Sequence, residues 1–129
     1  MFQKYRDRAA FLFVYIQEAH PADGWQMEPN KTDGVIFNQP KEWGERRSVA
    51  QACSTRLKLT MPCAVDTIDN AVDALYASWP ERMFVIDRDG RIAYAGKQGP
   101  WGFKPKETER ALRRVLRATG RKLDSVARF

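Results

Sequence analysis

Cysteine is scarce in this chain. The 129 residues hold two, Cys53 and Cys63, and no CxxC or Cys/His spacing of a zinc site surrounds them. A disulfide scaffold is therefore excluded and no metal site is expected, which favours a reducing, cytoplasmic setting. Long apolar runs are missing too. The longest, Ala9 to Ile16, falls well short of the roughly 18–20 residues that cross a bilayer, so no membrane segment is expected in this chain. The first residues, Met1-Phe2-Gln3-Lys4-Tyr5-Arg6-Asp7-Arg8, mix charges of both signs ahead of no small-residue cleavage site, unlike a signal peptide. Repeats and low-complexity tracts are absent. Histidine occurs once, at His20. Acidic residues are outnumbered: 22 Lys+Arg against 16 Asp+Glu leave a formal net charge of +6, which permits an acidic partner without demanding one.

What is present describes one small globular domain. Apolar residues at 43% are too many and too evenly spread for a disordered chain. Residues 2–8 read as the tail of a charged helix with no N-cap at Met1. Ala10 to Ile16 (AFLFVYI) reads as a strand buried on both faces, as in a parallel or mixed sheet. Gln17 to Trp43 is a long polar, turn-rich loop, a length that signals function or disorder. Ser48 is a candidate cap for a helix to about Leu59, with Val49, Cys53, Arg56 and Leu57 at helical spacing. Cys63-Ala64-Val65 is a short strand. Asn70 to Ser78 is a short helix with Val72, Leu75 and Tyr76 on one face. Met83 to Ile86 is a second buried strand, turned at Asp87-Arg88-Asp89-Gly90 into a hairpin with Ile92 to Ala95. A Gly/Pro-rich loop, Gly96 to Gly102, leads to a helix from Pro105 that stops at Gly120.

A strand–helix–strand unit joined to a hairpin and a final helix is the layout of a thioredoxin-like, three-layer α/β fold. In that fold a first core strand precedes the AFLFVYI strand, so the expected fold is N-terminally truncated. Residues 1–118 form the incomplete domain and 119–129 a basic tail.

Certain motifs narrow the function. Tyr15-Ile16-Gln17-Glu18-Ala19-His20-Pro21-Ala22-Asp23-Gly24-Trp25 is followed by Arg47-Ser48, Val65-Asp66-Thr67-Ile68-Asp69-Asn70, Tyr76-Ala77 and Pro80-Glu81-Arg82. Gly90-Arg91-Ile92-Ala93-Tyr94 and Gly96-Lys97-Gln98-Gly99-Pro100-Trp101-Gly102-Phe103 complete the series. In this order, up to about Leu116, the chain resembles the iodothyronine deiodinase family. The resemblance implies an oxidoreductase that reductively removes iodide from an aromatic ring. It uses a selenocysteine or cysteine nucleophile, a soft and readily ionised group suited to attack on a heavy halogen. That nucleophile belongs upstream of Met1, which places Met1 where reading would restart after a selenocysteine codon taken as stop. The chain alone is expected to be inactive. The alternative is a non-catalytic thioredoxin-like interaction module that has lost its nucleophile. No cofactor is expected beyond an external thiol reductant. The partners implied are a small iodinated aromatic and that thiol; the family admits a homodimer, and no nucleic acid is expected.

The resemblance also assigns roles. It places His20 beside the nucleophile, donating to substrate or moving a proton; a strand-end histidine bonded to nearby backbone is the plainer reading. Glu18 and Glu81 are the candidate acids. Counting back from Asp87, the slot where a thioredoxin-like fold commonly has its cis-proline falls on Glu81, with Pro80 one residue early. An exposed glutamate, with or without Arg82 as ion-pair partner, is the alternative. Lys97 and Gln98 are the substrate-binding candidates. Some family members have Arg where this chain has Gln98, so a carboxylate-bearing substrate loses a bidentate grip. Trp25 and Trp101 either anchor their loops or line an aromatic pocket, with anchoring favoured. Cys63 is the redox candidate, two residues after the position the family often gives to a recycling cysteine (here Met61), while Cys53 packs as a small hydrophobe. For the basic stripe of Arg110, Arg113, Arg114 and Arg117 with Arg121-Lys122, binding of nucleic acid or anionic lipid is one reading; the plainer one is the solvated face of an amphipathic helix, with no nucleic-acid motif beside it.

Overall fold

A computed structural model describes residues 1–22 and 37–126. The chain is mixed α/β with two small sheets, and it divides into two compact units.

The unit Phe11–Pro80 is built on a parallel strand–helix–strand core. Strand β1, Phe13–Tyr15, pairs in parallel with β2, Cys63–Val65, in the register Phe13↔Cys63, Val14↔Ala64 and Tyr15↔Val65. Parallel neighbours need a long crossover, and part of it is a helix, Trp43–Arg56. This helix starts five residues before the expected cap. Ser48 lies inside it, with its hydroxyl donating to the carbonyl of Gly44 at 3.0 Å, a back-bond that satisfies serine within a helix. Arg46 and Ala50 form its buried face, while Leu57, expected on that face, is 48% exposed.

The strand expected over residues 10–16 is shorter and not buried on both faces. Tyr15 is buried, but Leu12 is 63% exposed. The helix expected over residues 70–78 is Ala71–Tyr76, and its inward residue is Asp73, not Leu75, which is 80% exposed. The rotation has a cause. Asp66, 1% exposed, accepts from the backbone N–H groups of Val72 and Asp73, both at 2.9 Å. It therefore fixes which side of the first turn faces inward.

The second unit joins Met1–Ala10 to the chain from Glu81 onward. Helix α1, Phe2–Tyr5, has no side-chain cap, as its sequence implied. Strand β3, Phe84–Ile86, pairs antiparallel with β4, Ile92–Ala95, with an irregularity between Val85 and Ile86. The turn between them is held by Asp87, whose carboxylate accepts from the N–H groups of Asp89 and Arg91 at 2.9 Å. Gly90 takes the positive φ of 79° that this turn requires. With the helices of the first unit numbered α2 (Trp43–Arg56) and α3 (Ala71–Tyr76), the last is α4, Pro105–Val126. It runs through Gly120, where a stop was expected, because one interior glycine costs only about 1 kcal/mol relative to alanine and helix formers lie on both sides. Ala111 and Leu112 are its buried apolar residues. Lys4 and Tyr5 both reach Glu109 at 2.7 Å and fasten α1 to α4.

Candidate functional site

In the first unit the chain leaves β1 as an irregular stretch carrying Gln17, Glu18 and His20, all half-buried. Gln17 is tied down by its side-chain amide, which donates to Asp73 at 2.8 Å. The same Asp73 carboxylate accepts from the N–H groups of Ser78 at 3.1 Å and Trp79 at 2.8 Å. One buried side chain thus holds the segment that leads to His20 and the segment that leads to Pro80. Asp66 anchors α3 behind it. Burial alone would push the Asp66 carboxyl up. The N–H donors of Asp73, Val72 and Thr67 and the nearby Arg46 guanidinium instead hold it below the usual carboxylate range. Sequence reasoning missed this paired-aspartate clamp. Its signal was an Asp at the end of a strand, five residues before a short helix, a residue type that caps backbone donors.

Glu18 sits differently. Its Oε1 is buried with no hydrogen-bond partner among the described residues, and burial pushes its carboxyl up. Burial and the charge of Glu18 push the Cys53 thiol up to about 11, which disfavours its thiolate. Cys63 is an exposed residue whose partial burial also raises its thiol. It lines a shallow open cleft of about 250 Å³ with Arg47, Gln51, Ser54 and Thr55. Trp25 lies outside the described residues.

In the second unit Glu81 meets the Gly/Pro-rich loop directly. Its carbonyl accepts from the N–H of Gly99 at 2.9 Å, and its carboxylate lies where a Cβ on residue 99 would be. A glycine at 99 is what allows this approach. Gly102 is equally constrained, since its own Cβ would strike the carbonyl of Gln98 and the side chain of Lys97. The structure therefore brings Glu81 together with the loop of Lys97, Gln98 and Trp101. Lys97 and Gln98 are exposed. Trp101, expected to anchor its loop, is 90% exposed and anchors nothing. The cis peptide near Glu81 is Trp79–Pro80, so Glu81 follows the cis-proline and does not occupy its slot; Gly99–Pro100 is cis as well. Arg82 donates through Nε to the carbonyl of Gly96 at 2.6 Å and stacks over Phe84. His20 belongs to the first unit and Glu81 to the second. Among the described residues no group of three or more His, Cys, Asp or Glu could hold a metal, and no helix is long and apolar enough to cross a membrane.

A parallel strand–helix–strand unit and a hairpin with a closing helix make this a mixed α/β protein. The model of the iodothyronine deiodinase family matches residues 1–116, and the chain belongs to that family. It is 36% identical over 99 residues to a type I iodothyronine deiodinase of Xenopus laevis, covering 77% of this chain and 37% of that one. A thyroxine 5-deiodinase of Gallus gallus is 36% identical over 110 residues, 78% and 37% of the two chains. A human type II iodothyronine deiodinase is 31% identical over 112 residues, 85% and 41%. The chain spans about two fifths of the length of these curated relatives.

Proposed function

We propose that the chain is the substrate-handling part of an oxidoreductase that removes iodide reductively from an aromatic ring. The observation that carries this is the packing of Glu81 against Gly99, which joins two family motifs, Pro80-Glu81-Arg82 and Gly96–Phe103, into one structural piece. In this reading a selenolate or thiolate on a strand preceding Met1 attacks the iodine. The C–I bond breaks, the ring carbon takes a proton, and a Se–I or S–I bond forms. One external thiol then displaces iodide, and a second releases the nucleophile as the thiol pair becomes a disulfide. His20 and Glu81 supply and steer the proton; Lys97, Gln98, Trp25 and Trp101 meet the substrate. Cys63 is an auxiliary thiol for the recycling step.

The same reading proposes a thioredoxin-like fold. In the β1–β2 ladder Phe13 and Tyr15 bond toward β2, so the backbone groups of Val14 point to the other edge. In β3, Met83 and Asp87 bond toward β4 and its flank, which turns Phe84 and Ile86 outward. In a thioredoxin-like fold further strand pairing continues along edges of this kind. The test is iodide release from a chain extended upstream to include the strand that carries the nucleophile. His20→Ala and Glu81→Ala should each lower turnover by roughly 10²–10⁴, the span for a positioned proton-transfer group. A change below about threefold removes that residue from the site.

A further inference from the structure

Charge is divided unevenly between the two units. Residues 11–80 hold six Lys+Arg against nine Asp+Glu, a net −3, while the remainder hold sixteen against seven, a net +9. Within the basic unit α4 carries the largest share, seven Lys+Arg against three Asp+Glu, a net +4. Arg110, Arg113, Arg114 and Arg117 are all exposed and together line one shallow surface concavity. Their spacing puts them on a single stripe about 10 Å long. That stripe lies opposite the face carrying Thr108, Ala111 and Leu112, which are buried. None of the four arginine side chains makes an ion pair or hydrogen bond among the described residues. The glutamates on their flanks are already engaged, Glu107 with Lys104 and Glu109 with Lys4.

We propose that this face docks on an anionic lipid surface. Four unneutralised guanidinium groups aligned on one rigid helix present a flat cationic strip that complements a plane of anionic headgroups. The same unit also exposes an aromatic side chain close in sequence to that helix. Phe103 is 43% exposed, two residues ahead of the first residue of α4. Exposed aromatics suit the headgroup boundary; they add nothing to contact with nucleic-acid phosphates, the other polyanion the charge could attract. The attachment is peripheral and needs no spanning helix.

The full chain is sedimented with vesicles of phosphatidylcholine alone, with vesicles containing phosphatidylserine, and in parallel titrated with a duplex DNA. Binding to the phosphatidylserine vesicles should exceed that to phosphatidylcholine by about tenfold or more and fall steeply as salt rises. In Arg110→Gln/Arg114→Gln, whose sites are solvent-facing, it should fall roughly fivefold for each charge removed, with the circular dichroism unchanged. Equal binding to both vesicle types, no binding to either, or tighter binding to the DNA than to phosphatidylserine would each overturn the proposal. The wild-type comparison decides the matter even if the variant misfolds. None of these readouts depends on deiodination.

Discussion

The side-chain amide of Gln17 donates to the Asp73 carboxylate across 56 residues of sequence at 2.8 Å. That carboxylate also accepts from the backbone of Ser78 and Trp79. Removing it takes the acceptor from the Gln17 amide and the Trp79 N–H at a part-buried place, while the Ser78 N–H keeps the backbone carbonyl of residue 73 at 3.1 Å. Asp73→Ala should therefore cost about 2–4 kcal/mol in urea unfolding, and Asp73→Asn, which keeps one acceptor oxygen, clearly less. Equal losses in the two variants would show that the negative charge matters and the retained acceptor oxygen does not.

Asp66 makes stability depend on pH in the acid range. Its folded carboxyl lies below the unfolded value near 3.9. The stabilisation is therefore complete above that unfolded value and is lost as pH falls through the lower folded one. The gap in stability between the native chain and Asp66→Asn should be wide at neutral pH and close in acid. A pH-independent gap would contradict the clamp.

Glu18 works in the opposite direction. Its folded carboxyl is raised by burial, so folding favours the protonated form; this contribution is complete below the unfolded value near 4.3 and is lost as pH rises through the higher folded one. Glu18→Gln should stabilise the chain at neutral pH and change little near pH 4. Thermal unfolding at the two pH values checks this; destabilisation at neutral pH would mean that the carboxylate has a partner.

The two loop glycines separate steric effects by what they would strike. A Cβ at 99 meets the far end of the Glu81 side chain, which can swing away; a Cβ at 102 meets the backbone carbonyl of Gln98. Gly102→Ala should destabilise the fold by about 1–3 kcal/mol. Gly99→Ala should cost less in stability but displace the Glu81 carboxylate, and so lower turnover in the extended enzyme. The reverse ranking in denaturant would contradict the loop geometry.

The short strand Cys63–Val65, the hairpin around Gly90 and the start of α4 at Pro105 were legible in sequence, because each is set by local residue chemistry. The rotation of α3 was not. Val72, Leu75 and Tyr76 make a plausible apolar face, but the contact that decides orientation comes from Asp66, a polar residue outside the helix. The early start of α2 was hidden for a similar reason, since Ser48 suits a cap and a back-bonded interior position alike. At the candidate site, the motifs named Glu81 and the 96–102 loop, and the structure joins them. The exposure of Trp101 was not readable, because the loop closes through Gly102 without it.

Iodide release decides the central claim. The chain alone and the chain extended upstream through the proposed nucleophile strand are each incubated with an iodinated phenol and a dithiol. The chain alone should release none above background, because Cys53 is held as a thiol up to about pH 11 and Cys63 is raised as well. The extended chain should release iodide, and lose that release when the nucleophile is replaced by serine. Release by the chain alone that disappears in His20→Ala, or none by an extended chain that folds cooperatively, would contradict the account.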